Sequence, residues 1–207
     1  KVNNRVTVYS YNSELSIAKT SSFREMGPPD DGMVLWMDAN RGITDTAGSI
    51  VSWDDQSPNT FPGTSADVNN QPILLENAIN GNDTVSFDGI DDYIQITGDN
   101  NLRFAANGPE MTFFLQFSPV GSSGRQPIYE SSTHIWQYST FPTLFTHFLG
   151  SGNHFSSNAG FISGEWYMVQ IRYDGSDLIY RVNQNTILDT AINIPAYQTG
   201  STATIGA

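Results

Sequence analysis

Apolar and polar positions alternate with a period of two along most of this chain, the spacing of strands that bury one face. Met111-Thr-Phe-Phe-Leu-Gln-Phe117 sets Met111, Phe113, Leu115 and Phe117 on one side. Trp166-Tyr-Met-Val-Gln-Ile-Arg-Tyr173 groups Tyr167, Val169, Ile171 and Tyr173, and Leu178, Tyr180 and Val182 repeat the rhythm after Asp174-Gly-Ser-Asp177. Two alternating runs joined by a glycine-bearing loop predict a hairpin. Asn183-Gln184-Asn185 predicts the next tight turn, because Asn tolerates positive φ. Further strands are predicted over residues 6–11, 33–37, 50–53, 84–87, 93–97, 127–130, 134–138 and 144–149. No segment carries three turns of amphipathic helix. Many short strands separated by Gly, Pro, Asn, Asp and Ser predict an all-β fold, a two-sheet antiparallel sandwich of the jelly-roll kind. Residues 22–32 hold two prolines and two glycines, which deny them regular structure. Residues 1–32 are therefore expected to form an N-terminal arm or an added edge strand, and residues 33–207 the sandwich.

Composition sharpens this picture at four points. Hydrophobic residues make up 38% of the 207, enough to build a core. No window approaches the length of a membrane span, so membrane insertion is not expected. Cysteine is absent, which excludes disulfides, thiolate metal sites and a cysteine nucleophile. The formal charge is −12, and it is unevenly placed: residues 30–99 hold thirteen acids and one base, Arg41. A field of that sign repels nucleic acid and attracts cations, calcium above all.

Four stretches carry a resemblance to a known family. They are Val34-Leu-Trp-Met-Asp-Ala-Asn40; Val51-Ser-Trp-Asp-Asp-Gln-Ser57; Gln71 to Gly81 running into Val85-Ser-Phe-Asp-Gly-Ile-Asp-Asp-Tyr93; and Gly164 to Tyr173, followed by Tyr180-Arg-Val-Asn183 and Ala203-Thr-Ile-Gly206. In order and spacing they resemble the bacterial laminin G-like domains of the concanavalin A-like lectin/glucanase superfamily. The resemblance implies a sandwich over residues 33–207 and, in function, glycan binding, adhesion, virion fibres or glycoside hydrolysis. It also implies one more strand after the Thr-Ile-Gly segment. Truncation, the N-terminal arm or a strand donated by another subunit would each account for its absence, and donation would make a homo-oligomer.

The candidate chemistry is sparse. The glucanases of that superfamily carry Glu-x-Asp-x-x-Glu on one strand, which alternation turns into a nucleophile and an acid/base on one face. None of the six glutamates here has an Asp two residues later. Gly-x-Ser-x-Gly and His-Glu-x-x-His are absent too, so no catalytic residue is assigned and an enzyme is not expected. Asp88, Asp91 and Asp92 form a loop that reads either as a calcium site or as a turn whose carboxylates cap the backbone. Residues 134–155 are the candidate glycan site: Trp136 and Tyr138 offer flat rings, and His147, Asn153 and His154 offer polar groups for hydroxyls. The competing reading puts half of those aromatics in the core. The expectation is a non-catalytic carbohydrate-binding or adhesion module outside the cell, on a cell or virion surface. The alternative is a structural subunit of a filament, appendage or virion that assembles through its arm and an open sheet edge.

Overall fold

The computed structural model describes residues 33–98, 111–119, 126–131, 134–138, 143–148, 153–173, 176–191 and 202–206. For residues 111–114, 126–131, 134–138, 143–148 and 153–156 the description is of backbone pairing alone. Residues 1–32, expected to form an N-terminal arm or added edge strand, lie outside the described residues.

Fifteen strands run in the order β1 Ile43–Thr46, β2 Ser49–Asp54, β3 Pro62–Thr64, β4 Ile73–Ile79, β5 Asn82–Ser86, β6 Tyr93–Thr97, β7 Met111–Phe117, β8 Gln126–Ser131, β9 His134–Tyr138, β10 Thr143–Phe148, β11 Asn153–Asn158, β12 Tyr167–Tyr173, β13 Asp177–Val182, β14 Asn185–Ala191 and β15 Thr202–Gly206. One short 3-10 turn, Val68–Asn70, precedes β4; Asp67 caps it by accepting the Asn69 N–H. Every strand pair is antiparallel. Eleven strands form a large sheet in the order β11-β10-β9-β8-β15-β6-β3-β2-β4-β5, with β1 beside β2. Four form a second sheet, β14-β13-β12-β7. The chain folds as the two-sheet antiparallel sandwich that its alternation predicts.

The core lies between the sheets. Ile50, Trp53, Ile94, Ile96 and Ala203 come from the large sheet, and Val169, Ile171, Tyr173, Leu178, Tyr180 and Val182 from the small one. These six small-sheet residues are the alternate positions read from the sequence. Register lines them up, with Ile171 opposite Tyr180 and Phe113, and Val169 opposite Val182 and Leu115. The expected turn after β13 is present: Asn183 and Gln184 both have positive φ, and Val182 pairs with Asn185 across them.

One predicted strand is not a strand. Residues 33–38 run without a ladder; side chains and single backbone bonds, such as Gln56 N–H to the Trp36 carbonyl, satisfy their backbone instead. Trp36 N–H donates to the Asp55 carboxylate at 2.8 Å, and the Val34 carbonyl accepts from Asn59 Nδ2 at 2.9 Å. Asp55 ends β2 as a clasp, with all four of its acceptor bonds going to Trp36, Ser57 and Phe61.

The Thr-Ile-Gly strand, β15, sits inside the large sheet. It pairs with β6 on one side and β8 on the other. Among the described residues, the strand with a single neighbour in the small sheet next to β12 is β7.

Candidate functional site

The five glycan-site candidates lie on three successive strands, β9, β10 and β11, at one end of the large sheet. Register divides them between two rows. Ile205 pairs with Tyr129, Tyr129 with Trp136, Trp136 with Thr146 and Thr146 with Phe155. Directly paired residues of an antiparallel sheet share a face. Trp136 therefore falls on the face of Ile205, which packs against the core. Tyr138 joins it by alternation, and Asn153 through Phe148 and His134. His147 and His154 are directly opposite each other and belong to the other face. Their row runs through Ile135 and Glu130 to Thr204 and Gln95. The side chains of the five candidates lie outside the described residues.

The acidic loop is described in full. Asp88 Oδ1 accepts the N–H of Ile90 at 2.8 Å, of Asp91 at 3.2 Å and of Asp92 at 3.4 Å. Asp92 Oδ2 accepts the Asp88 N–H at 2.9 Å, and Asn70 Nδ2 ties the loop down by donating to the Asp91 carbonyl at 2.8 Å. The turn is therefore capped by its own carboxylates. One oxygen from each of Asp88, Asp91 and Asp92 lies within 4.8 Å of the others. Three carboxylates hold at most six oxygens, and here Asp88 and Asp92 each have one committed to backbone N–H groups. Calcium takes about 6–8 oxygens, so an ion here would draw much of its shell from water.

The two committed carboxyls titrate in opposite senses. The Ile90 N–H holds Asp88 below its ordinary value, against some desolvation and with help from the Asp91 and Asp92 N–H groups. Burial pushes Asp92 up; the Asp88 N–H opposes this, and the neighbouring charges of Asp88 and Asp91 reinforce it. Asp88 thus stabilises the fold above the ordinary carboxylate range, and that contribution is lost as pH falls through its lowered value. Asp92 favours the fold in its protonated form, a contribution lost as pH rises through its raised value. Asp92→Asn is uncharged at every pH. It is expected to melt above the wild type at pH 7, with the difference gone below about pH 4. Thermal scans at the two pH values check this, and a wild type that melts higher at pH 7 contradicts it.

A third region was not singled out by sequence reasoning. Trp166 is 38% exposed, Met168 47% and Ile162 63%. All three fall within seven residues, where β12 begins. Phe161 packs edge-on against Phe117 and Tyr167 beneath them, and the Ile162 N–H donates to the Tyr167 hydroxyl at 2.8 Å. Gly164 N–H bonds the Pro119 carbonyl, pinning the loop to the end of β7. The signal was in the alternation: once Tyr167, Val169 and Ile171 face inward, Trp166 and Met168 face out.

No protein-family model matches the chain, and no curated protein matches it. Solved structures do. The binding domain of botulinum neurotoxin DC in complex with SialylT matches with a TM-score of 0.55 at 14% identity, over 86% of this chain and 43% of that one. The serotype D binding domain gives 0.53 at 14%, over 82% and 43%. The receptor-binding domain of mosaic serotype C/D, with tetraethylene glycol on its Hcn sub-domain and a sulfate ion at its putative active site, gives 0.51 at 13%, over 79% and 41%. The chain spans less than half the length of these domains. At such identity the likeness is one of fold, and it places the protein among the two-sheet β-sandwich proteins.

Proposed function

We propose that the protein is a non-catalytic carbohydrate-binding or adhesion module of the laminin G-like type, displayed outside the cell. The observation that carries this reading is the match of its sandwich to neurotoxin binding domains, one of them in complex with SialylT. The absence of the glucanase carboxylate pattern from the sequence agrees with it. A two-sheet sandwich suits the role, because its outer faces present side chains on a rigid backbone. The test is a printed array of neutral and sialylated oligosaccharides probed with the whole chain, expected to give saturable binding to a restricted set. An array with no hit above background sinks the reading. Trp136→Ala, scored for both binding and melting temperature, tests the β9–β11 strands separately.

Calcium is the ion that the acidic loop would draw. A calorimetric titration with no heat and no shift in melting temperature removes it from this account.

A second reading is favoured by one feature, the single pairing of β7 among the described residues. A seven-residue strand with alternating apolar positions is a template for a further strand. In this reading residues 1–32 of one copy pair with β7 of another and build a filament. Concentration-dependent polymerisation that is abolished by deleting residues 1–32 would support it, and a strictly monomeric chain at all concentrations would reject it.

A further inference from the structure

We propose that the outer face of the small sheet, centred on Trp166, is a binding platform for a short pyranose oligosaccharide; this rests on the carbohydrate-binding reading and names the surface that performs it. The face is built along β12, which is flanked on both sides by partners. Its outward positions are Met168, Gln170 and Arg172, opposite the buried Val169, Ile171 and Tyr173, and the exposed Trp166 immediately precedes the strand. Gln116 of β7 is directly across from Met168 and exposed. On the other side, Asn183 grips Met168 through both backbone groups: its Oδ1 accepts the Met168 N–H, and its N–H donates to the Met168 carbonyl, each at 2.9 Å. An apolar ring and a thioether thus stand in a frame of amides.

Arg181 closes the far end. Its Nη1 donates to Gln170 Oε1 at 3.1 Å and its Nε to Thr186 Oγ1 at 3.3 Å. Both acceptors are neutral. A guanidinium carries five N–H donors, so three remain beyond the two bonds it makes among the described residues. Trp166 and Gln170 are four positions apart, about 13 Å at 3.3 Å per residue. That spacing suits an extended oligosaccharide better than a single ring.

The chemistry follows from the side chains. A pyranose has a C–H face that stacks on indole and a rim of hydroxyls that both donate and accept. Gln116 and the Gln170 amide supply donors and acceptors, and Arg181 supplies donors held in place by its two intramolecular bonds. The bond between Arg181 and Gln170 holds that pair in place, so less ordering entropy is lost there on binding. Among the described residues, the other exposed large apolar side chains, Val51, Val68, Ile73, Leu75, Ile90 and Ile162, are aliphatic and offer no ring.

The experiment uses the whole chain and the strongest hit from the oligosaccharide array. Trp166→Ala is expected to weaken binding at least tenfold and Arg181→Gln at least threefold, while Trp136→Ala, where folded, changes it less than twofold. Because Trp166→Ala can also loosen the β12 entry, the Met168 methyl resonance of the unmutated protein is followed as the hit is added, its assignment fixed by Met168→Leu. A shift that saturates with binding supports the platform. A bound hit that leaves the Met168 methyl unmoved, or that binds Trp166→Ala and Arg181→Gln as tightly as wild type, overturns the platform and leaves the carbohydrate-binding reading standing. A blank array overturns both.

Discussion

Asp55→Ala should lower the stability of the sandwich by about 3–5 kcal/mol. Asp55 is buried, and both of its oxygens are in use. Oδ1 accepts from the Trp36 and Ser57 N–H groups at 2.8 Å each; Oδ2 accepts from Ser57 Oγ at 2.7 Å and the Phe61 N–H at 3.0 Å. Three backbone donors lose their partner when the carboxylate goes. Each unsatisfied buried donor costs about 1–3 kcal/mol, less whatever water recovers. Residues 33–38 have no ladder to fall back on; the Asn59 bond to the Val34 carbonyl and the Gln56 N–H bond to the Trp36 carbonyl are left to hold the entry to the domain. Asp55→Asn keeps one acceptor oxygen and turns the other position into a donor facing donors, and should fall between wild type and alanine. Urea unfolding followed by tryptophan fluorescence measures all three. A loss under about 1 kcal/mol for alanine would mean that the clasp is decoration on a loop held some other way.

Gly206→Ala is the second large effect, about 2–5 kcal/mol, because two separate penalties add. Gly206 has φ +78°, where a Cβ is strained whatever the space around it. The space is also taken: an added Cβ would run into the Phe87 ring and sit 2.6 Å from the Asp92 carbonyl oxygen. Gly48→Ala separates the two penalties. Gly48 has φ +88°, and a Cβ there meets nothing within 4 Å. It should show the dihedral strain alone, about 1–2 kcal/mol. Equal losses at the two sites in thermal or urea unfolding would show that Phe87 yields freely.

The strands that could be read from the sequence are those with a clean alternation long enough to fix both boundaries and face. β12 and β13 are the clearest case: every residue assigned inward from Val169 to Val182 is in the buried cluster. β6 and β9 match their expected bounds residue for residue. Five strands escaped, each for a local reason. β3 is three residues around Gly63, whose missing side chain lets the Trp53 carbonyl and Ile94 approach. β1 and β4 carry exposed residues at most positions, so neither shows a buried face. β4 is further broken by the bulge that puts Asn77 at positive φ. β11, with Ser156, Ser157 and Asn158, and β14, with Asn185, Thr186 and Asp189, are polar edge strands. The opposite error came at Val34-Leu-Trp, apolar enough for a strand but bound by side chains from the following turn.

The candidate site was less legible, because a site is assembled by register, and register is invisible in one strand. His147 and His154 are seven positions apart in sequence and directly opposite in the sheet. Trp136 is two positions from Tyr138 and, by pairing, in one row with Ile205 two strands away. The Asp88 loop was the exception. Its partners are local, so an Asx turn could be named from five consecutive residues.

The placement of β15 bears on how the molecule comes into being. Thr97 and Thr202 are cross-strand partners roughly a hundred residues apart, and β15 also joins β6 to β8. Until that segment leaves the ribosome, the large sheet exists as two halves, each with a raw margin at β6 or β8. The large sheet can therefore lock only once β15 has joined its two halves. Topology of this kind closes slowly, on the order of milliseconds to seconds. During that interval the unzipped margins are the surfaces that a holding chaperone would have to cover.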